Sequence, residues 1–399
     1  MRAPSKYLAA SLAAIAFGVS GCGSGDDAAV AATPAPVDTA VLDFGNYVTV
    51  PRTIGKPNFD RARLSEGQRL GNYLPTAFEV DNRFKYQSGI EDIAVFGFIE
   101  RLYTIGDSEK FKEDTPGFIG GFYSYGQTHS YIGISEVLSN AAMVFDSESS
   151  ATAAAAALAR RQSEDKDARV MVPLPDFPEG HAFWNPAQQE LFTVNAHKNI
   201  VVFSNIKDYA KIELELTDLN ALTAVATKNW AAIKPQVEGF EPTPPDKLTD
   251  IEMDRDKLLG HSLMRQGEES QKNPPGIYDR HGALHFSEKP DRDEPLFEEA
   301  GLEWFGVNAT ELYQVKDSKG AELISRAHSA LNKSLRSAES PKGMPSAKCV
   351  ELKVKDSFSA RFHCTLAFGR YVIEARSNQL VDVHQRVSAQ YALLAAMAK

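Results

Sequence analysis

Two stretches set 171 residues apart follow the same local plan. "NAAMVFDS" and "ATELYQVKDS" each read as a strand ending in Asp-Ser, at Asp146-Ser147 and Asp317-Ser318. Asp and Ser are natural helix caps because their side-chain oxygens accept from the orphan N–H groups of the first turn. A helix-forming run follows each: "SSATAAAAALARRQ" in the first case, "AELISRAHSALNKSLRS" in the second. Strand-like segments come next. They are "EGHAFWNP" and "QELFTVNAHKNIVVFSN", the latter turning at His197–Asn199, and later "AKCVELKVK", "FSARFHCTLAF" and "GRYVIEARSN". A helix closes each series. Leu219, Leu222, Val225, Trp230 and Ile233 form one apolar stripe, and Leu380, Val383, Val387, Tyr391, Leu394 and Met397 form the other, at the spacing of a face turned to a core. Ser204-Asn205 and Ser377-Asn378 lie 173 residues apart, so the offset holds along both series. The expected fold class is therefore α+β: two similar tandem domains, each an antiparallel sheet packed by helices. The proline-rich "KPQVEGFEPTPPDKLTD" divides them, giving a first domain over 41–234, a linker over 235–250 and a second domain over 251–399.

The second series alone carries cysteines, Cys349 and Cys364, equidistant from the "DS" between their strands. Directly opposed strand residues come within disulfide reach, so a Cys349–Cys364 bond is expected. The alternation is awkward, however. Phe358, Ala360, Phe362, Cys364 and Leu366 share one face, whereas the apolar face of the first strand is Val350, Leu352 and Val354. Either a bulge shifts the register, or Cys349 precedes the regular strand.

The third cysteine, Cys22, stands where the apolar run Tyr7–Val19 gives way to "GSGDDAAVAATPAPVDTA". Arg2 and Lys6 form a basic head, and the run is shorter than the ~20 residues needed to span a bilayer. With Val19-Ser20-Gly21 before it, Cys22 resembles the lipobox of bacterial lipoproteins. That likeness implies cleavage after residue 21, a diacylglyceryl group on the Cys22 thiol, and a flexible stalk over 22–40. The expected location is the extracytoplasmic face of the cell membrane, held by the lipid alone. The net charge of −10, more acidic still without Arg2 and Lys6, argues against a nucleic-acid partner.

"VDTAVLDFGNYVTVPRTIG" (37–55) and "RYVIEARSNQLVDVHQRVSAQYALL" (370–394) complete a likeness over nearly the whole mature chain. With the Cys22 segment, they resemble a family of uncharacterised two-domain lipoproteins of mycolic-acid-bearing actinobacteria (mycobacteria, nocardiae and rhodococci). The resemblance implies an address and a domain plan, and supplies no catalytic residues.

The residues themselves argue against most chemistry. "GHSLM" begins like a nucleophile elbow at Ser262, but Met264 occupies the position that needs glycine. "HGALH" reads as strand, turn, strand, which would hold His281 and His285 about 13 Å apart, too far for one metal. "DIEMDRDKLLGH" has acids at Asp250, Glu252 and Asp254 but Arg255 where a calcium loop needs glycine. Asp291, Asp293, Glu294, Glu298 and Glu299 read as a solvated acidic surface. No catalytic residue, metal site or cofactor is expected. "PGFIGGFYSYG" combines glycines that permit close approach with Phe118, Phe122, Tyr123 and Tyr125. These four are the candidate lining of a ligand cleft between the domains, and the alternative is a glycine-kinked strand with aromatics in the core. The expected function is non-catalytic binding of an envelope protein, lipid or glycan; the alternative is an envelope hydrolase with a triad assembled from distant residues.

Overall fold

The structure is a computed structural model that describes residues 37–87, 95–96, 108–164, 169–174, 177, 179–267, 274–354 and 359–397. Cys22 and its flanks lie outside the described residues.

The first half contains α1 (Phe59–Gly71), α2 (Ala77–Val80), β1 (Val95–Phe96), α3 (Ser108–Asp114), β2 (Phe118–Gln127) and β3 (Glu136–Phe145). It continues with α4 (Glu148–Glu164), β4 (Val170–Val172), β5 (His181–Asn185), β6 (Glu190–His197), β7 (Ile200–Asp208), α5 (Tyr209–Glu213) and α6 (Leu219–Glu238). The second half contains β8 (Gly276–Tyr278), α7 (Arg280–Ala283), α8 (Pro290–Ala300), β9 (Leu302–Val307), β10 (Glu311–Val315) and α9 (Ser318–His328). β11 (Leu335–Ala338), β12 (Lys348–Leu352), β13 (Phe362–Phe368), β14 (Tyr371–Ser377) and α10 (Leu380–Met397) complete it. The strand orders are β1-β2-β3-β7-β6-β5-β4 and β8-β9-β10-β14-β13-β12-β11. Adding seven to each label of the first gives the second, and every pairing in both is antiparallel. The two halves are thus tandem α+β units of one topology.

The expected caps are present. Ser147 Oγ accepts from Ser150 N at 3.1 Å and starts α4; Asp317 Oδ1 accepts from Gly320 N at 3.0 Å and starts α9. Each sheet is covered on both faces, which resolves the cysteine register. Cys349 pairs directly with Cys364, at a Cα–Cα distance of 4.1 Å, within an unbroken ladder from Lys348↔Thr365 to Glu351↔Phe362. The two cysteines face α10 with Phe362, Leu366 and Ile373. Val350 is also buried but points the other way, with His363 and Thr365, toward α9. No bulge is needed, because this strand is apolar on both sides.

Three local expectations are corrected. α9 stops at His328, where the Ser329 hydroxyl donates to Ser325 O at 2.6 Å, and Asn332 Oδ1 then turns the chain into β11. The "SALNKSLRS" segment is therefore turn and edge strand. "HGALH" is helical: Asp279 Oδ1 caps α7 through Gly282 N at 2.8 Å, and the His281 and His285 rings lie 6.1 Å apart. The proline-rich segment begins inside α6, which runs through Pro235 to Glu238. Near a helix end proline removes a single ladder bond, and Val237, Phe240 and Leu248 remain buried beyond it.

The two family-like stretches named above meet in space. Val37 N donates to Tyr391 Oη at 2.9 Å, Tyr47 Oη to Asp382 at 2.7 Å, and Gln385 Nε2 to Asp43 at 2.9 Å. Gly45 adopts φ +52° with the Gln385 amide where a Cβ would stand, so glycine in "LDFGNY" is required twice over. Asp38 caps a 3-10 turn at Thr39–Val41, so the last residues assigned to the stalk have regular structure. Residues 41–52, expected in the first half, pack on the second: Arg52 donates to Leu259 O at 2.9 Å and Ser262 O at 3.1 Å.

Val37–Lys399 forms one compact unit. α1 lies on β2 through glycines on both sides. A Cβ on Gly67 would come within 2.5 Å of Gly121 O, and one on Gly71 within 2.6 Å of the Phe122 ring. Behind this contact one core joins the halves, running from Leu70, Phe122, Trp230 and Ile233 to Tyr278, Phe286, Phe297 and Phe305. Phe122 touches Tyr278 at 6.0 Å and His285 at 4.9 Å between ring centroids.

Candidate functional site

The four aromatics of "PGFIGGFYSYG" do not form a cleft. Phe122 is 0% exposed in the joint core, and Tyr123 is 8% exposed on the opposite face, under α4. Phe118 stacks among Phe96, Phe111 and Phe145, and Tyr125 donates to Gln127 Oε1 at 2.6 Å. The glycines do serve close approach, but what approaches is α1. These residues hold the first half together and join it to the second.

A cavity nevertheless lies at the junction, about 570 Å³ in volume, built from three separated segments. α1 and the turn after it supply Ser65, Gln68, Arg69, Asn72 and Tyr73. The connection between the halves supplies Thr243, Lys247 and the run Asp250–Arg255 apart from Asp254; β8, the α7 cap and β9 supply Ile277, Asp279 and Trp304. A smaller space of about 160 Å³ opens beside Phe177, His197 and Trp230.

The junction wall is held by buried polar contacts. Glu66, 0% exposed, accepts from Arg69 Nη1 at 2.6 Å, from Thr243 N at 2.7 Å and from Thr243 Oγ1 at 2.8 Å. The Arg69 guanidinium also lies 5.3 Å from the centre of the Phe240 ring, whose other contact is the edge of Tyr73 at 5.3 Å. On the far wall Arg255 covers Trp304 at 4.4 Å. Gln68 Nε2 donates to Pro275 O at 3.0 Å, and Asn72 Oδ1 accepts from Asp279 N at 3.3 Å. Ser65 differs from these. Its hydroxyl is buried and has no hydrogen-bond partner among the described residues, a state that buried polar groups rarely keep without a ligand or water.

No histidine or cysteine is among the lining residues; the titratable groups there are the carboxylates Asp250, Glu252 and Asp279 and the cations Arg69, Lys247 and Arg255. The histidine clusters lie elsewhere and are structurally occupied. His281 presents Nδ1 to Asn72 O at 2.8 Å and Nε2 to both Glu79 oxygens at 3.1 Å. Burial acts to lower its pKa, but the Glu79 carboxylate outweighs this and holds it up to about 9. His285 donates to Leu74 O at 2.9 Å, and burial, aided by the neighbouring His281 charge, pushes its pKa down to about 4. This pair ties α2 to α7, one half to the other.

Under α9, His328 bridges two carboxylates, Glu374 at 2.6 Å and Asp293 at 3.2 Å. Burial opposes its charge, yet the two acids keep it well above the ordinary histidine range. Burial likewise acts to raise the Glu374 pKa, but His328 and His363 hold it well below the carboxylate range. His363 Nε2 lies 3.4 Å from Glu374, an ion-pair distance. Although a carboxylate pair meets a histidine here, Glu374 is buried in the sheet core and the cluster opens into neither cavity. Asp293, expected on a solvated acidic surface, instead accepts from Ser287 Oγ and His328.

Ser262 is buried, donating to Leu259 O and accepting from Asn308 Nδ2, both at 2.9 Å. Asp254 accepts from Leu259 N and Gly260 N and closes a turn rather than a calcium loop. Among the described residues, the one three-ligand grouping of metal-binding type is Cys349, Cys364 and His384, and its thiols are joined in the disulfide. No described helix is long and apolar enough to cross a membrane.

No curated protein matches the chain. Residues 54–253 match the N-terminal part, and residues 258–397 the C-terminal part, of a family defined as a domain of unknown function, DUF7373. Between them these matches take in both sheets and every residue lining the junction cavity except Arg255. The chain belongs to the DUF7373 family.

Proposed function

We propose that this chain is a lipid-anchored envelope protein of mycolic-acid-bearing actinobacteria that binds a ligand without transforming it. It is held through Cys22 on the extracytoplasmic face of the membrane, and its ligand sits in the cavity between the two halves. The observation that carries the binding role is a junction cavity of about 570 Å³ whose lining has hydroxyls, amides and paired charges but no histidine or cysteine. Small-molecule sites favour domain junctions and volumes of this order. The disulfide suits an exported protein, and the basic head, short apolar run and Val19-Ser20-Gly21-Cys22 support the anchor.

Two experiments test the two parts. Metabolic labelling with a fatty acid is expected to mark the wild type and to be lost in Cys22→Ala; equal labelling would remove the anchor. Native mass spectrometry of protein from its own envelope is expected to show an additional bound mass. Turnover of an ester or glycosidic substrate that vanished on mutation of a cavity hydroxyl would instead establish a hydrolase.

A further inference from the structure

Resting on the binding role proposed above, we infer that the junction cavity takes a neutral saccharide. The charge of the wall is the first reason. Three cationic residues line the cavity, Arg69, Lys247 and Arg255, against three anionic ones, Asp250, Glu252 and Asp279. Each of these charges already has a protein partner. Arg69 holds Glu66, Arg255 lies 3.8 Å from Glu252, Lys247 lies 3.7 Å from Asp246, Asp250 meets Lys56 at 2.7 Å, and Asp279 caps α7. A phosphorylated or carboxylated ligand would meet as many carboxylates as cations on this wall, with no net positive charge to draw it in.

A lipid tail fits no better. The chain would cover the Asn72 amide, Thr243 and the ion pairs with hydrocarbon, and an uncompensated buried polar group costs on the order of 1–3 kcal/mol. What remains is a ligand that brings its own neutral donors and acceptors.

The positive features agree. Ser65, 4% exposed, stands in the α1 wall with a hydroxyl that no group among the described residues satisfies, just beneath the cavity surface. Asn72 supplies an amide from the turn after α1. Tyr73 adds a flat apolar face with a phenolic edge, and its ring is fixed by its edge contact with Phe240. A pyranose has the matching character, with a C–H face that packs on an aromatic ring and equatorial hydroxyls at its rim. The volume of about 570 Å³ suits one or two sugar rings. Because the wall is assembled from α1, the connection and β8–β9, a ring bound there touches both halves at once.

The test is an array of immobilised di- to tetrasaccharides, neutral, uronic-acid-bearing and phosphorylated, probed with the full chain in detergent. At least one neutral glycan is expected to bind, with its acidic counterpart weaker by tenfold or more. Ser65→Leu, which fills the cavity from α1, is expected to weaken binding at least tenfold. Tyr73→Ala, at the half-buried rim, gives an independent variant should Ser65→Leu fail to fold, and is expected to lower affinity by fivefold or more while still unfolding in one cooperative transition above the assay temperature. Absence of any neutral signal, a preference for acidic glycans, or unchanged binding in both variants overturns the inference. If no glycan binds while native mass spectrometry finds a lipid or protein on the chain, the saccharide falls and the binding role stands. If neither experiment finds a ligand, both fall.

Discussion

Glu66→Ala is the most informative single change, because this carboxylate fastens α1 to the connection between the halves. It is 0% exposed and holds three hydrogen bonds, from Arg69 at 2.6 Å and from the Thr243 N–H and hydroxyl at 2.7 and 2.8 Å. Hydrogen bonds to a charged group contribute about 1.5–3 kcal/mol each. They are not additive, and the Arg69 side chain, 38% exposed, recovers water when freed. We therefore expect a loss of about 3 kcal/mol for Glu66→Ala. The loss for Glu66→Gln is about 1–2 kcal/mol, since its amide oxygen still accepts from Thr243. Urea denaturation followed by tryptophan fluorescence reads this directly. With a slope of about 3 kcal/mol/M, the alanine midpoint falls by about 1 M in one transition of unchanged slope. A midpoint within about 0.2 M of wild type would refute the claim that this clamp holds the junction.

Three further outcomes follow from the same structure. Phe122→Ala empties a fully buried site shared by β2, Tyr278 and His285 and is expected to cost about 3–5 kcal/mol, measured by the same denaturation. Its transition should remain single, because the core it opens is common to both halves. Replacing Cys349 and Cys364 together by serine removes a 15-residue cross-link, and a loss of about 3 kcal/mol is expected; reduction of the wild type should reproduce it.

The α2–α7 contact contributes to the pH dependence, alongside the His328–Glu374 pair. His281, held up to about 9, contributes stability that is complete below 6.5 and lost as pH rises through 9. His285, pushed down to about 4, stays neutral in the fold, so stability is lost as pH falls from 6.5 toward 4. Stability should peak near neutrality, and His281→Gln should abolish an alkaline loss on the order of 3 kcal/mol between pH 7 and 10.

Local chemistry made much of the fold legible. Asp317 and Ser147 cap helices where their side chains predict, the His197–Asn199 turn joins β6 to β7, and the α6 and α10 stripes face their sheets. Sequence alternation misled where a sheet is covered twice. Val350 and Cys349 are both buried, so the hydrophobic pattern could not report the register, although the cysteine spacing did. "HGALH" failed as a strand because one side chain, Asp279, nucleates a helix there.

The lining of the cavity was not legible, although a cleft between the domains was expected. Its lining comes from residues 65–73, 243–255 and 277–304, whose convergence depends on long-range packing that leaves no periodic trace. Gly67 and Gly71, one helical turn apart on α1, were the available signal: two glycines on one helix face mark a close contact. "GG" in β2 suits either the lip of a cleft or a close-packed strand with aromatics in the core, and the second holds: it receives that helix.

The central claim is that the junction cavity holds a ligand, and native mass spectrometry of protein isolated from its own envelope tests it most directly. Wild type is expected to carry a defined additional mass that dissociates on activation, and Ser65→Leu, once its circular dichroism matches wild type, to lack it. A wild-type chain at its bare mass, or the same adduct on both proteins, would contradict the account.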